Sequence, residues 1–283
     1  MAKADRGRLP VRKMYKLFID GAFVRSESAR SQPLANATES GGNIARASRK
    51  DVRDAVLAAR RAQPKWWKTA PATRGLVLYR LAEMLEARKA EFAELLTDAR
   101  QIDAAIDRTL WYAGWCDKYN ALLSARNPVG GPHLNFSTAE PAGVVALLAP
   151  DDPPLLALVS TLLPPIVAGN SLVAVASEKD ARSAIVFAEA VATSDMPAGV
   201  VNILTGNRSE LAPVLAKHMD VNTIALEPLE EFAQLQAFAA ENLKRTRILP
   251  KRDPRDWYSG DAQSLNDIAA YCEIKTIWHP AGI

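Results

Sequence analysis

Four short apolar runs decide the fold: GVVALLAP (143–150), SLVAVAS (171–177), VVNILTG (200–206) and NTIAL (222–226). Longer segments with helical patterns follow them, at 155–168, 181–193, 209–217 and 230–243. Buried strands that alternate with helices are typical of βαβ units and a parallel sheet. Gly169-Asn170, after the first of these helices, suits a C-cap turn that needs a positive φ. The sequence therefore predicts an α/β fold whose core, residues 143–249, is a doubly wound, Rossmann-type parallel sheet.

The chain ahead of this core begins with a predicted hairpin. YKLFIDGAFVR (15–25) has apolar alternation on both sides of Asp20-Gly21, which is a strong two-residue turn signal. Further on, Ser48 is followed three residues later by Asp51, which is a capping-box pattern. This pattern predicts the start of a first helix.

Two more predicted helices complete a helical layer within residues 1–133. Pro64 and Pro71 mark the connection between the first helix and the second. A third helix is predicted from about Asp103 to Leu123, and NPVGGP (127–132) ends it.

Beyond Leu249 the alternation of strands and helices stops. PKRDPRDWYSGDAQ (250–263) is polar and contains proline, which predicts an exposed linker. A short helix at about 264–271 and a strand, EIKTIW (273–278), follow. The β-like segment at 134–142 and residues 264–283 are together predicted to form a small β element.

The composition excludes several classes of protein. Hydrophobic residues make up 48% of the chain, charged residues 24%, and the net charge is +3, with basic residues scattered among acids. These values are typical of a globular protein and argue against a nucleic-acid partner. Cys116, Cys272 and three dispersed histidines lack metal-ligand spacing, so we predict no metal site and a reducing compartment. The most apolar stretch, 155–168, is too short to span a bilayer, and the N-terminus lacks a secretory signal core. We therefore expect a cytoplasmic protein with no membrane partner.

Five segments in series resemble the cofactor domain of the aldehyde dehydrogenase superfamily: EPAGVVALLAP (140–150), PIVAGNSLVAVASE (165–178), MPAGVVNILTG (196–206), DVNTIAL (220–226) and ENLKR (241–245). LFIDGAFV (17–24) resembles the family's opening hairpin, and CEIKTIW (272–278) resembles its C-terminal strand. The resemblance implies an N-terminal, Rossmann-type half of such an enzyme with an oligomerisation hairpin, and a missing catalytic domain.

The resemblance also implies two vestigial cofactor-binding residues. Glu178 matches a family acid that hydrogen-bonds a ribose hydroxyl, and Gly206 ends a strand at the edge where open α/β sheets bind ligands. Glu178 could equally be a solvated loop carboxylate near a helix start. Val175 departs from the family pattern because it replaces a lysine that pairs with the ribose.

A second departure concerns the pyrophosphate. Pro228 stands where the family has a glycine that lets the backbone approach the phosphates. Glu227, Glu230 and Glu231 crowd the same helix start, where they suit the helix dipole but repel an anion. No GxGxxG fingerprint compensates elsewhere. We therefore expect no cofactor, with weak NAD or NADP binding as the alternative.

No catalytic residue is predicted. The family's oxyanion-hole asparagine aligns with Asp152, whose ionised carboxylate has no donor, and its general base aligns with Leu249. The segment that carries the family's nucleophilic cysteine has no counterpart, and Cys116 and Cys272 are expected to be small buried residues. Asp151 and Asp152 could instead form an acid–base or metal pair, but adjacent residues at a strand end point apart.

Two functions compete. The chain resembles the short, cysteine-less unit that accompanies a full-length aldehyde dehydrogenase in the family-sixteen type, which implies a structural or regulatory partner. Its docking residues, with itself or with a full-length enzyme, would be Leu134, Phe136, Ile274, Thr276 and Trp278. The hairpin could instead only close the chain's own sheet. The second function is an NAD(P)-binding oxidoreductase that acts on aldehydes weakly or only in a complex. A folded remnant without a role is a third possibility.

Overall fold

The computed structural model describes residues 13–34, 42–228 and 232–281. The strands are β1 (Met14–Tyr15), β2 (Leu17–Ile19), β3 (Ala22–Val24), β4 (Ser31–Pro33), β5 (Asn43–Ala45), β6 (Ala125–Asn127), β7 (His133–Pro141), β8 (Val144–Leu148), β9 (Ser171–Val175), β10 (Val201–Leu204), β11 (Thr223–Leu226), β12 (Arg245–Ile248) and β13 (Cys272–Pro280). The helices are α1 (Arg49–Lys68), α2 (Pro71–Glu86), α3 (Lys89–Leu95), α4 (Arg100–Ala113), α5 (Tyr119–Leu123), α6 (Leu156–Val167), α7 (Ala181–Ala192), α8 (Arg208–Lys217), α9 (Phe232–Ala240) and α10 (Leu265–Ala269).

A seven-stranded sheet in the order β12-β11-β8-β9-β10-β2-β3 forms the centre. The five strands from β12 to β10 are parallel, whereas β2 pairs antiparallel with β10 and β3 antiparallel with β2. The parallel core predicted from the sequence is therefore confirmed, and the hairpin makes the whole sheet mixed.

Both faces of this sheet are covered, which explains the continuous apolar runs. All five residues of β8 are buried, and their side chains alternate between the two faces. Val145 and Leu147 belong to one apolar cluster, together with residues of α2, α4, α6 and α7. Val144 and Ala146 belong to the other, together with residues of α1, α8 and α9. This two-sided burial is the physical basis of the doubly wound arrangement.

The predicted hairpin and the first helix start are both present. β2 and β3 flank Asp20 and Gly21, whose φ values of 54° and 76° match a two-residue hairpin turn. Ser48 and Asp51 form a reciprocal capping box at the start of α1. A small sheet has the order β1-β5-β4, in which β1 precedes the hairpin in sequence and β4 and β5 lie between the hairpin and α1.

The connection between the first two helices agrees with the prediction at one proline and differs at the other. α1 continues through Pro64 to Lys68, so the break expected there is wrong, whereas Pro71 opens α2 as expected. Ala62 and Trp66, on either side of Pro64, are buried, so packing of this face outweighs the hydrogen bond that proline removes.

The predicted helix from Asp103 to Leu123 is two helices, α4 and α5. The main-chain N–H groups of Trp115 and Cys116 donate to carbonyls three residues back, which tightens the chain into a turn after Ala113. Cys116 in this turn and Tyr119 at the start of α5 are both buried in the core.

The C-terminal strand forms a second β element. β7 lies between β13 and β6, and it pairs antiparallel with both. The register runs from Cys272 opposite Pro141 to Pro280 opposite His133. The predicted pairing of the two segments is confirmed, and we call this three-stranded unit the tail sheet.

Residues 250–263 are mostly exposed, as predicted, but two of them pack against the core. Trp257 and Ala262 are 3% and 5% exposed. Arg108 of α4 donates to the carbonyls of Trp257 at 2.9 Å, of Ser259 at 3.3 Å and of Ala262. A single guanidinium has enough donors to bind several carbonyls, and this one holds the segment against α4. The segment is therefore exposed over most of its length, as predicted, and is anchored at Trp257 and Ala262.

Candidate functional site

The carboxyl end of the parallel sheet carries a cleft between α8 and α9. Its volume is about 330 Å³, and it is lined by Asp151, Glu178, Arg208, Ser209, Ala212, Pro213, Gln234 and Leu235. The sequence predicts ligand contacts at this edge, because open α/β sheets bind their ligands there.

An ion pair between Arg208 and Asp151 spans the mouth of the cleft. Arg208 Nη1 lies 3.0 Å from Asp151 Oδ2, and Nη2 lies 2.8 Å from Oδ1. Nη2 also donates to the carbonyl of Ala149, and Ser177 Oγ donates to Asp151 Oδ1 at 3.0 Å. The arginine side chain is only 12% exposed. A two-pronged pair held partly out of water is stronger than an ordinary surface pair.

Glu178 has a structural partner within the chain. Its Oε1 accepts the main-chain N–H of Arg208 at 2.6 Å, and its own N–H donates to Asp151 Oδ1 at 2.9 Å. Asn207, at the N-cap of α8, makes no side-chain capping bond, so Glu178 caps this helix. Its negative charge lies at the positive end of the helix dipole. A role of Glu178 towards a ribose stays a prediction.

Gly206 and Val175 are both explained by packing. Gly206 has a φ of +146°, and a Cβ there would lie 3.1 Å from the main-chain nitrogen of Ala47. The close approach of these two backbones is sufficient reason for glycine. Val175 is fully buried at the end of β9, where it pairs with Leu148 and Leu204 on the neighbouring strands. It offers no hydrogen-bond donor to the cleft.

Negative charge predominates around the network. Glu227 follows β11 at the same edge, and burial raises the pKa of its carboxyl, whereas Arg208 lowers it and Asp151 raises it further. Asp151, Glu178 and Glu227 therefore lie close to Arg208, and Lys251 is a second cation that lowers the pKa of Glu227. A pyrophosphate would meet net repulsion at this edge.

The segment after Glu227 adds no donor. Pro228 is exposed and has no main-chain N–H. Glu230 and Glu231, which the sequence places at the same helix start, lie outside the described residues. The described part of α9 begins at Phe232.

The two positions that the resemblance aligns with an oxyanion donor and a base are occupied by a carboxylate, Asp152, and an apolar side chain, Leu249. Asp152 faces Lys179 at 3.7 Å, while Asp151 faces Arg208, so the two adjacent carboxylates have different partners. This separation argues against an acid–base pair. Leu249 is 5% exposed, and its N–H donates to Leu226 at 2.8 Å, which extends the β11–β12 pairing. An apolar side chain cannot act as a base.

Both cysteines are buried, and both thiols have raised pKa values. Cys116 and Cys272 are 1% and 5% exposed, and neither forms a disulfide. Burial raises the pKa of each thiol to about 12. Since the thiolate is the nucleophile, neither residue is activated for attack on a carbonyl carbon.

Arg208 is the site residue that sequence reasoning missed. A signal was present: it begins the helix after the strand VVNILTG, two residues beyond Gly206. Asp151 follows β8, and Arg208 follows β10, so the two residues flank the end of β9. Opposite charges at such positions meet at one sheet edge.

The tail sheet presents a second candidate surface. Among the described residues, only β7 pairs with β13, so the other edge of β13 is free. Ile274 and Trp278 on this strand are 58% and 61% exposed. A nine-residue edge strand with exposed apolar side chains is a template for strand addition.

The five predicted docking residues divide between the two faces of the tail sheet. The register pairs Ile277 with Phe136 and His279 with Leu134, so these four share one face. The other three, Ile274, Thr276 and Trp278, lie on the opposite face because side chains alternate along a strand. A strand added to β13 would contact both faces.

The matched sequence family agrees with this architecture. The sequence profile of the Aldehyde dehydrogenase family matches residues 23–247. The chain belongs to this family. The match ends at β12, shortly before the segment that Arg108 holds.

Relatives of known sequence and structure extend the match. An aldehyde dehydrogenase of Aspergillus niger is 30% identical over 250 residues, which are 82% of this chain and 49% of that protein. The crystal structure of PnpE from Pseudomonas sp. WBC-3 is similar with a TM-score of 0.78 and 29% identity, over 83% of this chain and 50% of that one. An NAD+ complex of an aldehyde dehydrogenase from Bacillus cereus is similar with a TM-score of 0.77, 26% identity and the same coverage. The chain spans about half the length of these relatives.

Two negative findings hold within the described ranges. No helix there is both long and apolar enough to cross a membrane. No group of three or more His, Cys, Asp and Glu residues in the described part of the chain is arranged to hold a metal ion.

Proposed function

We propose that this aldehyde dehydrogenase-like chain is a non-catalytic partner that assembles with itself or with a full-length aldehyde dehydrogenase through the tail sheet. The observation that carries the proposal is the Arg208–Asp151–Glu178 network. It uses the charged groups of the ligand edge for internal bonds, while β13 leaves main-chain groups unused at its free edge.

The catalytic argument supports the same proposal. Oxidation of an aldehyde through a covalent thiohemiacetal needs a thiolate, a base and an oxyanion donor. The two thiols have pKa values raised to about 12, the base position holds Leu249, and the donor position holds Asp152. Nothing in this set of residues supplies the three groups.

The side-chain order on β13 suits pairing with a second copy. In an antiparallel pair centred on Thr276, Ile274 of each strand would lie opposite Trp278 of the other. Aromatic and β-branched residues in opposite positions stabilise sheets. The same register places Lys275 opposite Ile277 and Glu273 opposite His279. The edge is therefore complementary to itself under two-fold symmetry.

Sedimentation velocity tests the proposal. The chain is measured alone at micromolar concentration and mixed with a full-length aldehyde dehydrogenase from the same organism. We expect either a dimer of the chain or a shared boundary with the enzyme. A monomeric chain whose boundary is independent of the enzyme's would overturn the proposal.

A second candidate function, an NAD(P)-binding oxidoreductase with weak or complex-dependent activity, rests on the cleft. Its 330 Å³ are within the lower range of ligand sites, and Ala212, Pro213 and Leu235 offer apolar contacts for a base. The test is aldehyde-dependent NADH formation by the chain alone, with Cys116→Ala/Cys272→Ala as the control. Activity that the double variant abolishes would favour this candidate.

A further inference from the structure

A basic groove adjoins the ligand cleft along α8, and Pro213 lines both. Its walls are the first two turns of α1, with Arg49, Lys50 and Arg53, and the end of α8, with Lys217 and His218. Pro213 and Val214 form its floor. The groove measures about 470 Å³, which is the size of a small-molecule site, and no carboxylate lines it.

Two of the cations have no ion-pair partner. Neither Arg49 nor Lys217 pairs with a carboxylate anywhere in the described ranges. The Lys217 ammonium lies over the ring of Phe238, 3.8 Å from its centroid. This contact positions the ammonium but leaves its positive charge uncompensated.

The other two cations are only weakly engaged. Lys50 pairs with Glu27, and Arg53 with Asp54, and all four side chains are about half exposed. Exposed pairs of this kind contribute little free energy, so an anion in the groove can compete with them.

His218 adds a neutral donor. Its Nδ1 accepts the main-chain N–H of Asp220 at 3.2 Å, and burial lowers the pKa of the imidazole. The neutral ring therefore carries its proton on Nε2, which can donate a hydrogen bond.

We propose that the basic groove binds a nucleoside polyphosphate, with the phosphates on Arg49, Arg53 and Lys217 and the base on the Pro213–Val214 floor. Guanidinium groups match phosphate oxygens in two-pronged geometry, which is why arginine predominates in phosphate sites. The floor is apolar and suits a planar ring better than it suits a free inorganic anion.

Calorimetric titration with ATP in magnesium-free buffer at low salt tests the proposal, with adenosine as the uncharged comparison. We expect ATP to bind at least about tenfold more tightly than adenosine, because the phosphates supply the charge-assisted bonds. Affinity for ATP should also fall severalfold between about 20 and 200 mM salt, since the groove is exposed.

Matched variants locate the site. Arg49→Gln/Arg53→Gln should weaken ATP binding about tenfold or more. Arg61→Gln/Lys65→Gln removes the same charge from exposed positions of the same helix outside the groove, and it should leave the affinity within about twofold. Lys217→Gln gives a second, independent loss, and Arg208→Ala separates the groove from the cleft, because it should leave ATP binding intact.

Three results would overturn the proposal. One is equal affinity for ATP and adenosine, or no binding of either at millimolar concentration. Another is an equal loss in the groove variant and its charge-matched control, which would indicate only a diffuse field. The last is tighter binding of an oligoglutamate peptide than of ATP, which would assign the groove to an acidic protein segment instead.

Discussion

The carboxyl edge of the parallel sheet and the free edge of the tail sheet differ in how far the chain satisfies its own polar groups. At the first edge, Asp151, Glu178 and Arg208 bond to one another and to main-chain groups across three loops. At the second edge, β13 pairs on one side only and exposes Ile274 and Trp278. We therefore propose that a protein partner binds at the free edge of β13, where main-chain hydrogen bonds are unmade, and that no dinucleotide binds at the carboxyl edge of the parallel sheet.

Substitutions on the free edge of β13 should have the largest effect, which is on self-association. Ile274→Lys/Trp278→Lys places like charges opposite each other in the self-paired register, and lysine on an edge strand opposes strand addition. We expect association to weaken more than about 100-fold, since each change acts twice in a symmetric interface. Sedimentation equilibrium measures it.

The same double variant should keep its thermal stability. Both side chains are more than half exposed, so their replacement removes little core packing. A parallel loss of folding would show that these residues serve the monomer, and an unchanged dimer would place the interface elsewhere.

The next largest effect is on the alkylation rate of the Cys272 thiol. Cys272 is the first residue of β13 and is buried. The rate at which its thiol is alkylated therefore reports whether the start of β13 is packed in the core. A thiol with a pKa of about 12 has little thiolate at pH 8, and we expect alkylation at least about 100-fold slower than in urea. Because this pKa is raised, the buried thiol favours the folded state below about pH 8.5, and this contribution is lost as pH rises towards 12. Mass-spectrometric labelling rates decide, and fast labelling of the native chain would contradict the account.

Removing Arg208 from the carboxyl edge of the parallel sheet should lower the stability of the fold without creating affinity for a dinucleotide. Arg208→Ala leaves Asp151 unpaired, and we expect the free energy of unfolding to fall by about 2 kcal/mol, between the values for surface and buried pairs. Arg255→Ala, at an exposed pair with Asp253, is the matched control and should leave the free energy of unfolding unchanged within the error of the measurement. Urea denaturation measures both, and equal effects would mean that the network is no stronger than a surface pair.

The smallest effect is expected at Glu178. Glu178→Gln keeps an oxygen for the N–H of Arg208 but removes the charge at the start of α8. We expect a loss of about 0.5–1 kcal/mol, since this is the scale of a charge at a helix dipole. The same urea experiment applies, and a stabilised variant would show that Glu178 is held there for a ligand rather than as a cap.

The sequence predicted what periodicity and turn chemistry control. The parallel core, the Asp20-Gly21 turn and the Ser48 cap depend on local patterns, and all three are present. The end of α4 and the anchoring of 250–263 at Trp257 depend on contacts between distant segments, such as that of Arg108 with Trp257, which one sequence does not display.

The location of the candidate site was predictable, but not whether its polar groups are already hydrogen-bonded within the chain. Strand order brings Glu178 and Gly206 to one edge, and this much follows from topology. Whether the Glu178 carboxylate is free or hydrogen-bonded depends on Arg208. The partner of Arg208, Asp151, is remote in sequence. The faces of the tail sheet were also missed, because they depend on a register that only pairing reveals.

Calorimetric titration with NAD+ and NADP+ tests whether the carboxyl edge of the parallel sheet binds a dinucleotide. The titrated chain carries Arg49→Gln/Arg53→Gln, so that binding in the basic groove is excluded. We expect no binding to this variant below about 1 mM, because the carboxylates of Asp151, Glu178 and Glu227 lie close to Arg208 in the described part of this edge. Binding at micromolar concentration or tighter, lost on Arg208→Ala, would contradict it and would mark the edge as a working dinucleotide site.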